Sequence, residues 1–157
     1  MIIRIITIFP EMCTSFLDYG NLKRSVNSGK VEISLHDLRN YSLDKNRTVD
    51  DTPFGGGPGM VMKPEPFFNC VELLSKEENK KPFVILTSPQ GKMLDQSLVE
   101  KLKENEVIYI LCGRYEGVDN RVSEHLVDEE ISVGDYILSG GEIPAMTIAD
   151  SIVRLIP

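Results

Sequence analysis

The sequence has no run of about 18 apolar residues, which excludes a helical membrane span. Its apolar start, Met1 to Phe9, is too short for a secretory signal and lacks a small-residue cleavage site, so it reads as a buried strand. Cysteine is scarce. Cys13, Cys70 and Cys112 are odd in number and lack metal-like spacing, which excludes a disulfide framework, argues against a zinc site and suits a reducing cytosol. Cations are short as well: 17 Lys and Arg against 24 Asp and Glu leave a formal net charge of −7. A protein held to nucleic acid by counterion release alone is basic. Any nucleic-acid role here therefore requires a local basic surface, a partner chain or a further domain. Two phosphate-binding patterns are missing. Gly55-Gly56-Gly57-Pro58-Gly59 is not followed by Gly-Lys-Ser/Thr, and no Gly-x-Gly-x-x-Gly follows the first strand. No Ser-His-Asp or Cys-His arrangement is present, and His36 and His125 stand alone in different elements and read as structural. There is no internal repeat, low-complexity tract or linker.

What is present is one domain's length, 157 residues, 41% of them hydrophobic, enough for a core. Residues 1–9 read as a strand buried on both faces, ended by Pro10. Short helices are predicted from there to about Tyr19 and from Asn21 to Asn27, with Gly29 as the stop. Val31 to Leu35 alternates apolar and polar, as a half-buried strand does. Residues 39–63, with Pro53, Pro58 and four glycines, lack periodicity. Loops of that length in compact domains are functional or disordered. Pro66 to Lys76 reads as a helix. Strands are then predicted over 83–87, 107–112 and 130–133, with helices from Asp95 to about Lys103, from Val118 to Leu126 and from near Pro144, a residue suited to a first helical turn. Apolar strands alternating with helices predict an α/β fold, a mostly parallel sheet with helices on both faces.

The glycines cluster at 55–59, 91, 113–117 and 134–141. The last three groups each follow an apolar strand. In an open parallel sheet, ligands bind outside the carboxyl ends of the strands. Three such loops together predict a backbone-lined small-molecule pocket. With few cations and no phosphate motif, it suits a neutral or positively charged ligand. The polar residues in these loops are Arg114, Glu116, Asp119, Arg121 and Asp135. Glu116 stands out because it lies between Gly113 and Gly117. The acidic stretch Glu124 to Asp135 reads as a solvated edge. In the last helix, Thr147, Asp150, Ser151 and Arg154 make one polar stripe. The remaining faces are so apolar that a subunit interface is expected to cover them. Asp150 and Arg154 form either an i, i+4 ion pair or part of a site. The end, Arg154-Leu155-Ile156-Pro157, stops inside an apolar run, and we expect a chain cut short there.

Several long motifs carry a resemblance. The stretch from Arg47 to Met60 (RTVDDTPFGGGPGM) is similar to the glycine-rich signature of the bacterial tRNA (guanine-N1)-methyltransferases, the TrmD type. So are Ser88 to Gly91, Leu111 to Gly117, and Ser132 to Met146. The likeness runs from Phe9 to Pro157. Phe54 stands where the family often has tyrosine, and Val118 and Ile143 where other aliphatics are common.

The resemblance implies the knotted SPOUT methyltransferase fold, with a deep trefoil knot near the C-terminal part. Knots are so rare that topology rules alone would have excluded it. It implies that residues 1–157 form an S-adenosylmethionine-binding domain and that a C-terminal tRNA-binding domain is absent. The implied donor-binding residues are Pro89, Gly91, Gly113, Tyr115, Gly117, Ser132, Val133, Gly134, Asp135, Tyr136, Ile137, Leu138, Gly140 and Gly141. Glu116 and Arg154 would lie near the target guanine, with the general base beyond residue 157. The implied reaction is methylation at N1 of the guanosine 3′ to the tRNA anticodon, by a cytoplasmic homodimer with its site at the subunit interface. This chain alone would bind the donor but be inactive. The family is associated with Mg2+, for which the sequence assigns no site. The alternative is a catalytically silent nucleotide- or RNA-binding module of the same fold.

Overall fold

The computed structural model describes residues 1–157. The strands are β1 (Ile2–Thr7), β2 (Glu32–Asp37), β3 (Asp50–Asp51), β4 (Val61–Met62), β5 (Phe83–Met93), β6 (Val107–Cys112) and β7 (Glu129–Ser132). The helices are α1 (Glu11–Leu17), α2 (Gly20–Asn27), α3 (Pro64–Glu78), α4 (Gln96–Leu102), α5 (Asn120–His125) and α6 (Glu142–Val153). Five strands form one parallel sheet in the order β2-β1-β6-β5-β7. No helix is long and apolar enough to cross a membrane.

The central strand shows why the sheet forms. All six residues of β6 are buried, and successive side chains serve opposite layers. Ile108, Ile110 and Cys112 join the core under α1, α2, α4 and α6. Val107, Tyr109 and Leu111 join the core under α3 and α5. Period-two alternation between two apolar layers is what a continuous hydrophobic run produces when helices cover both faces. The edge strand β2 has no fully buried residue, as its alternating sequence implies.

The predicted elements are found with shifted ends, and three departures matter. First, Ser88 to Gly91 does not end the strand. β5 continues to Met93, but Thr87 and Lys92 both pair with Ile131, so four residues bulge out of the ladder. Pro89 has no N–H to give the ladder, and proline inside a sheet goes with bulges. Second, the 39–63 segment is not structureless. It holds a 3-10 turn over Leu38–Tyr41, and β3 pairs antiparallel with β4. Third, α6 does not need a second chain to cover its apolar faces. Pro144, Ala145, Ile148, Ala149, Ile152 and Val153 are buried within this chain, and the helix packs against α1, α2, α4 and the sheet. Only the line Ile143, Thr147, Asp150, Arg154 is exposed.

Candidate functional site

A pocket of about 500 Å3 opens at the carboxyl ends of β5, β6 and β7. Its walls are the Thr87–Gln90 bulge, the Gly113–Val118 loop and the Glu130–Gly141 segment, with Asn120 and Ser123 of α5 and Pro144 of α6. The Thr87–Gln90 wall is a bulge inside β5, whereas the other two walls follow β6 and β7, which give way to glycine-rich segments that tolerate sharp departures. Of the predicted binding residues, Pro89, Gly113, Tyr115, Gly117, Ser132, Val133, Gly134, Tyr136, Ile137, Leu138, Gly140 and Gly141 line the pocket, as does Glu116. Gly91, Asp135 and Arg154 do not. Gly91 instead backs onto β7: a Cβ there would lie 2.5 Å from the backbone of Glu130 and Ile131. Asp135 is exposed. Arg154 caps the far end of α6, roughly 20 Å from Gly141 at about 1.5 Å per residue. It forms no ion pair with Asp150; only its backbone N–H bonds the Asp150 carbonyl, at 2.9 Å.

The pocket's lining carries three charged side chains, Arg114, Glu116 and Glu130, and no lysine. This suits a ligand gripped by backbone groups better than a phosphate ester. Tyr115 adopts φ +61°, a left-handed conformation rare for a bulky side chain and typical of functional loops.

Two features were not legible in the sequence. The first is a buried carboxylate beneath the pocket. Glu142, in the first turn of α6, is 1% exposed. It accepts a hydrogen bond from Thr7 Oγ1 at 2.7 Å and one from Arg114 Nε at 3.0 Å. The Arg114 guanidinium lies 4.8 Å from the centroid of the Phe9 ring. An ion pair and a hydrogen bond thus tie the ends of β6 and β1 to the start of α6. The packing is close: a Cβ at Gly140 would lie 2.6 Å from Arg114 Cδ, and one at Gly141 would lie 2.8 Å from the Gly113 amide nitrogen. The Gly141 N–H also donates to the Gly113 carbonyl at 2.8 Å. The second feature is the meeting of Gly59 to Met62 with the Gly113–Gly117 loop. Glu116 N donates to the Met60 carbonyl at 3.0 Å, and Met62 N to the Gly117 carbonyl at 2.9 Å.

The titratable groups outside the pocket are structural. Burial pushes the Cys13 thiol up to about 11 and the Cys70 thiol to about 12, and holds Cys112 well above its ordinary value. The Arg121 guanidinium holds the Asp119 carboxyl below the usual carboxylate range. His36 sits at the sheet edge between Ser34 and Tyr41, and His125 is exposed beside Glu124. No group of three or more His, Cys, Asp or Glu residues is placed to hold a metal ion.

A family model described as tRNA (Guanine-1)-methyltransferase TrmD matches residues 1–157. The tRNA (guanine-N(1)-)-methyltransferase of Thermosipho melanesiensis is 55% identical over 157 residues, all of this chain and 63% of that protein. That of Moorella thermoacetica is 51% identical over 158 residues, again 63% of its length. The crystal structure of the tRNA (m1G37) methyltransferase from Aquifex aeolicus covers all of this chain and 70% of its own, with a TM-score of 0.92 at 45% identity. The chain therefore spans somewhat less than two thirds of the length of the curated relatives it matches.

Proposed function

The chain belongs to the tRNA (guanine-1)-methyltransferase family, and from that premise we propose that its pocket binds S-adenosylmethionine for methylation of guanine N1 in tRNA. The observation that carries this is the pocket itself. Its volume of about 500 Å3 falls in the range of small-molecule sites, about 300–1,000 Å3. Its walls are mostly backbone and short side chains, with two carboxylates and one cation. That charge balance tolerates a sulfonium ion. The donor supplies an electrophilic methyl group. Pro89, Gly113, Tyr115, Gly117, Ser132 to Gly134, Tyr136 to Leu138, Gly140 and Gly141 hold it, while Gly91 packs behind the lining against β7 and Asp135 stays outside it.

Glu116 projects between the donor walls and Gly59, a place from which a carboxylate can hydrogen-bond a guanine edge. Arg154 stabilises charge developing on the base, but it lies too far from this chain's own pocket. Our reading is that a second copy brings it, so that the enzyme is a homodimer with its site at the interface. Tyr115, Tyr136, Ile137, Leu138 and Ile143, exposed apolar side chains around the pocket mouth, suit such an interface. The interlock of Gly141 with Gly113 suits a trefoil knot of the SPOUT type. We place the tRNA-gripping domain, and the general base that removes the N1 proton, in the length by which the relatives exceed this chain. The substrate is the guanosine 3′ to the anticodon.

Calorimetric titration of the chain with S-adenosylmethionine tests the reading. One donor per chain is expected, weakened more than tenfold by Ile137→Arg. That substitution fills the pocket mouth from a position 85% exposed and leaves the fold intact. No heat of binding to the native chain overturns the assignment. Tritiated methyl transfer to unmodified tRNA is expected from the full-length protein. Residues 1–157 alone are expected to fall at least 10²-fold short, since loss of a positioned base costs about 10²–10⁴-fold.

A further inference from the structure

Phe54 is 91% exposed, at the start of a loop in which Gly55, Gly56, Gly57 and Gly59 all have positive φ. The ring is nevertheless held. The Arg121 guanidinium lies 5.9 Å from its centroid, within the reach of about 6 Å for a cation–π contact. Arg121 is itself fixed as a plane. Its Nε and Nη2 each donate to one oxygen of Asp119, both at 2.9 Å. Such a two-pronged pairing sets the orientation of the guanidinium. The Asp119 backbone N–H is anchored in turn on the Met62 carbonyl at 3.0 Å. Neither Phe54 nor Arg121 lines the pocket, but Arg121 sits on α5, the helix whose Asn120 and Ser123 do. The other end of the glycine loop reaches the pocket as well, through Gly59 against Glu116.

A flat aromatic ring, backed by a cation on one side and open to water on the other, is a surface made for stacking. Single-stranded RNA bases are recognised by stacking on aromatic rings and on arginine planes. Asp119 already offsets the Arg121 charge, so this arginine offers a plane more than a phosphate contact. In a chain of net charge −7, stacking is the RNA contact that does not depend on a basic surface.

We propose that Phe54 and Arg121 form a stacking platform for the RNA base next to the target guanosine. The proposal rests on the reading that a guanosine enters the pocket. Once that guanosine leaves its stack, its neighbour loses a partner, and the open face of Phe54 replaces it.

The test uses the full-length protein with donor and an RNA stem–loop carrying 2-aminopurine, in turn, on each side of the target guanosine. One of the two labelled RNAs is expected to change fluorescence on binding. Phe54→Ala should abolish that change and raise Kd for the RNA about 10- to 100-fold. Phe54→Tyr should restore both. Arg121→Lys keeps the charge but loses the plane and should fall between. Donor titration of Phe54→Ala distinguishes a lost platform from a lost fold. Binding of Phe54→Ala within twofold of the native protein overturns the platform. So does a loss that tracks a change in oligomeric state, which would mean that a second copy covers the ring. If the native protein transfers no methyl to guanosine-bearing RNA, the reading of the pocket fails as well. If transfer proceeds and Phe54→Ala is silent, only the platform fails.

Discussion

The Glu116 side chain lies directly over Gly59: a Cβ at Gly59 would overlap its Cγ and stand 2.8 Å from Oε1. Gly59 therefore seats the carboxylate of the pocket, from 57 residues away in the chain. Gly59 also has φ +86°, where a side chain is strained by about 1 kcal/mol. Gly59→Ala should lower the melting temperature by about 2–4 °C and displace Glu116. A misplacement on that scale costs about 10²-fold, so methyl transfer by the full-length protein should fall much further than stability does. Differential scanning calorimetry beside the transfer assay checks this; transfer within twofold of the native protein would show that the seat is immaterial.

Glu142 holds the ends of three elements together through Thr7 and Arg114. Removing one partner of a buried ion pair strands the other charge and costs about 3–5 kcal/mol. Glu142→Ala should lose stability on that scale in urea unfolding. Glu142→Gln, which can still accept from Thr7, should lose less. Arg114→Met combined with Glu142→Leu should recover part of the loss, because no unpaired charge remains. A double variant as unstable as the sum of the two singles would contradict this account.

The three cysteines are buried, and burial raises each thiol above its ordinary range. The thiolate is the nucleophile, so at pH 8 iodoacetamide should leave all three unmodified in the native chain and label all three in urea. Mass spectrometry decides, and one rapidly labelled native cysteine would refute the packing described around it.

His36 gives a pH dependence of definite sign. Burial first, and then the Arg4 charge, hold the imidazole below its ordinary value; Glu78 and Glu77 oppose this more weakly. The unfolded chain then binds the proton more tightly. The stability that neutral His36 contributes is complete above about pH 6.5 and is lost as pH falls through that value to the lower folded one. His36→Gln should flatten the fall in unfolding free energy as pH drops below about 6.5. Parallel pH profiles for the two proteins would exclude His36 as its source.

Local chemistry made much of the fold legible. The apolar run of β6 had to be a strand buried on both faces, because six consecutive apolar residues satisfy two layers at once. Asp95 was legible as a helix start because a cap is a contact across three residues, here with the Leu98 N–H at 2.7 Å. The glycines after β6 and β7 foretold a pocket at the sheet's carboxyl edge, since the direction of a parallel strand decides where its loop emerges; Gly91 instead lies within β5 and outside the lining. The rest required tertiary structure because the partners are distant in sequence. No periodicity links Glu142 to Thr7 across 135 residues, Gly59 to Glu116, or Phe54 to Arg121. The apolar character of α6 suggested a missing partner because composition counts apolar faces but cannot count the elements that cover them. In the folded chain α1, α2, α4 and the sheet cover all but one line of residues on that helix. The sequence by itself determined the main strands, the helix starts and most of the turns, though not the β5 bulge or the β3–β4 pair. Only the tertiary structure decided which of them meet, because the energy that holds Glu142 or seats Glu116 exists only once distant segments exclude water between them.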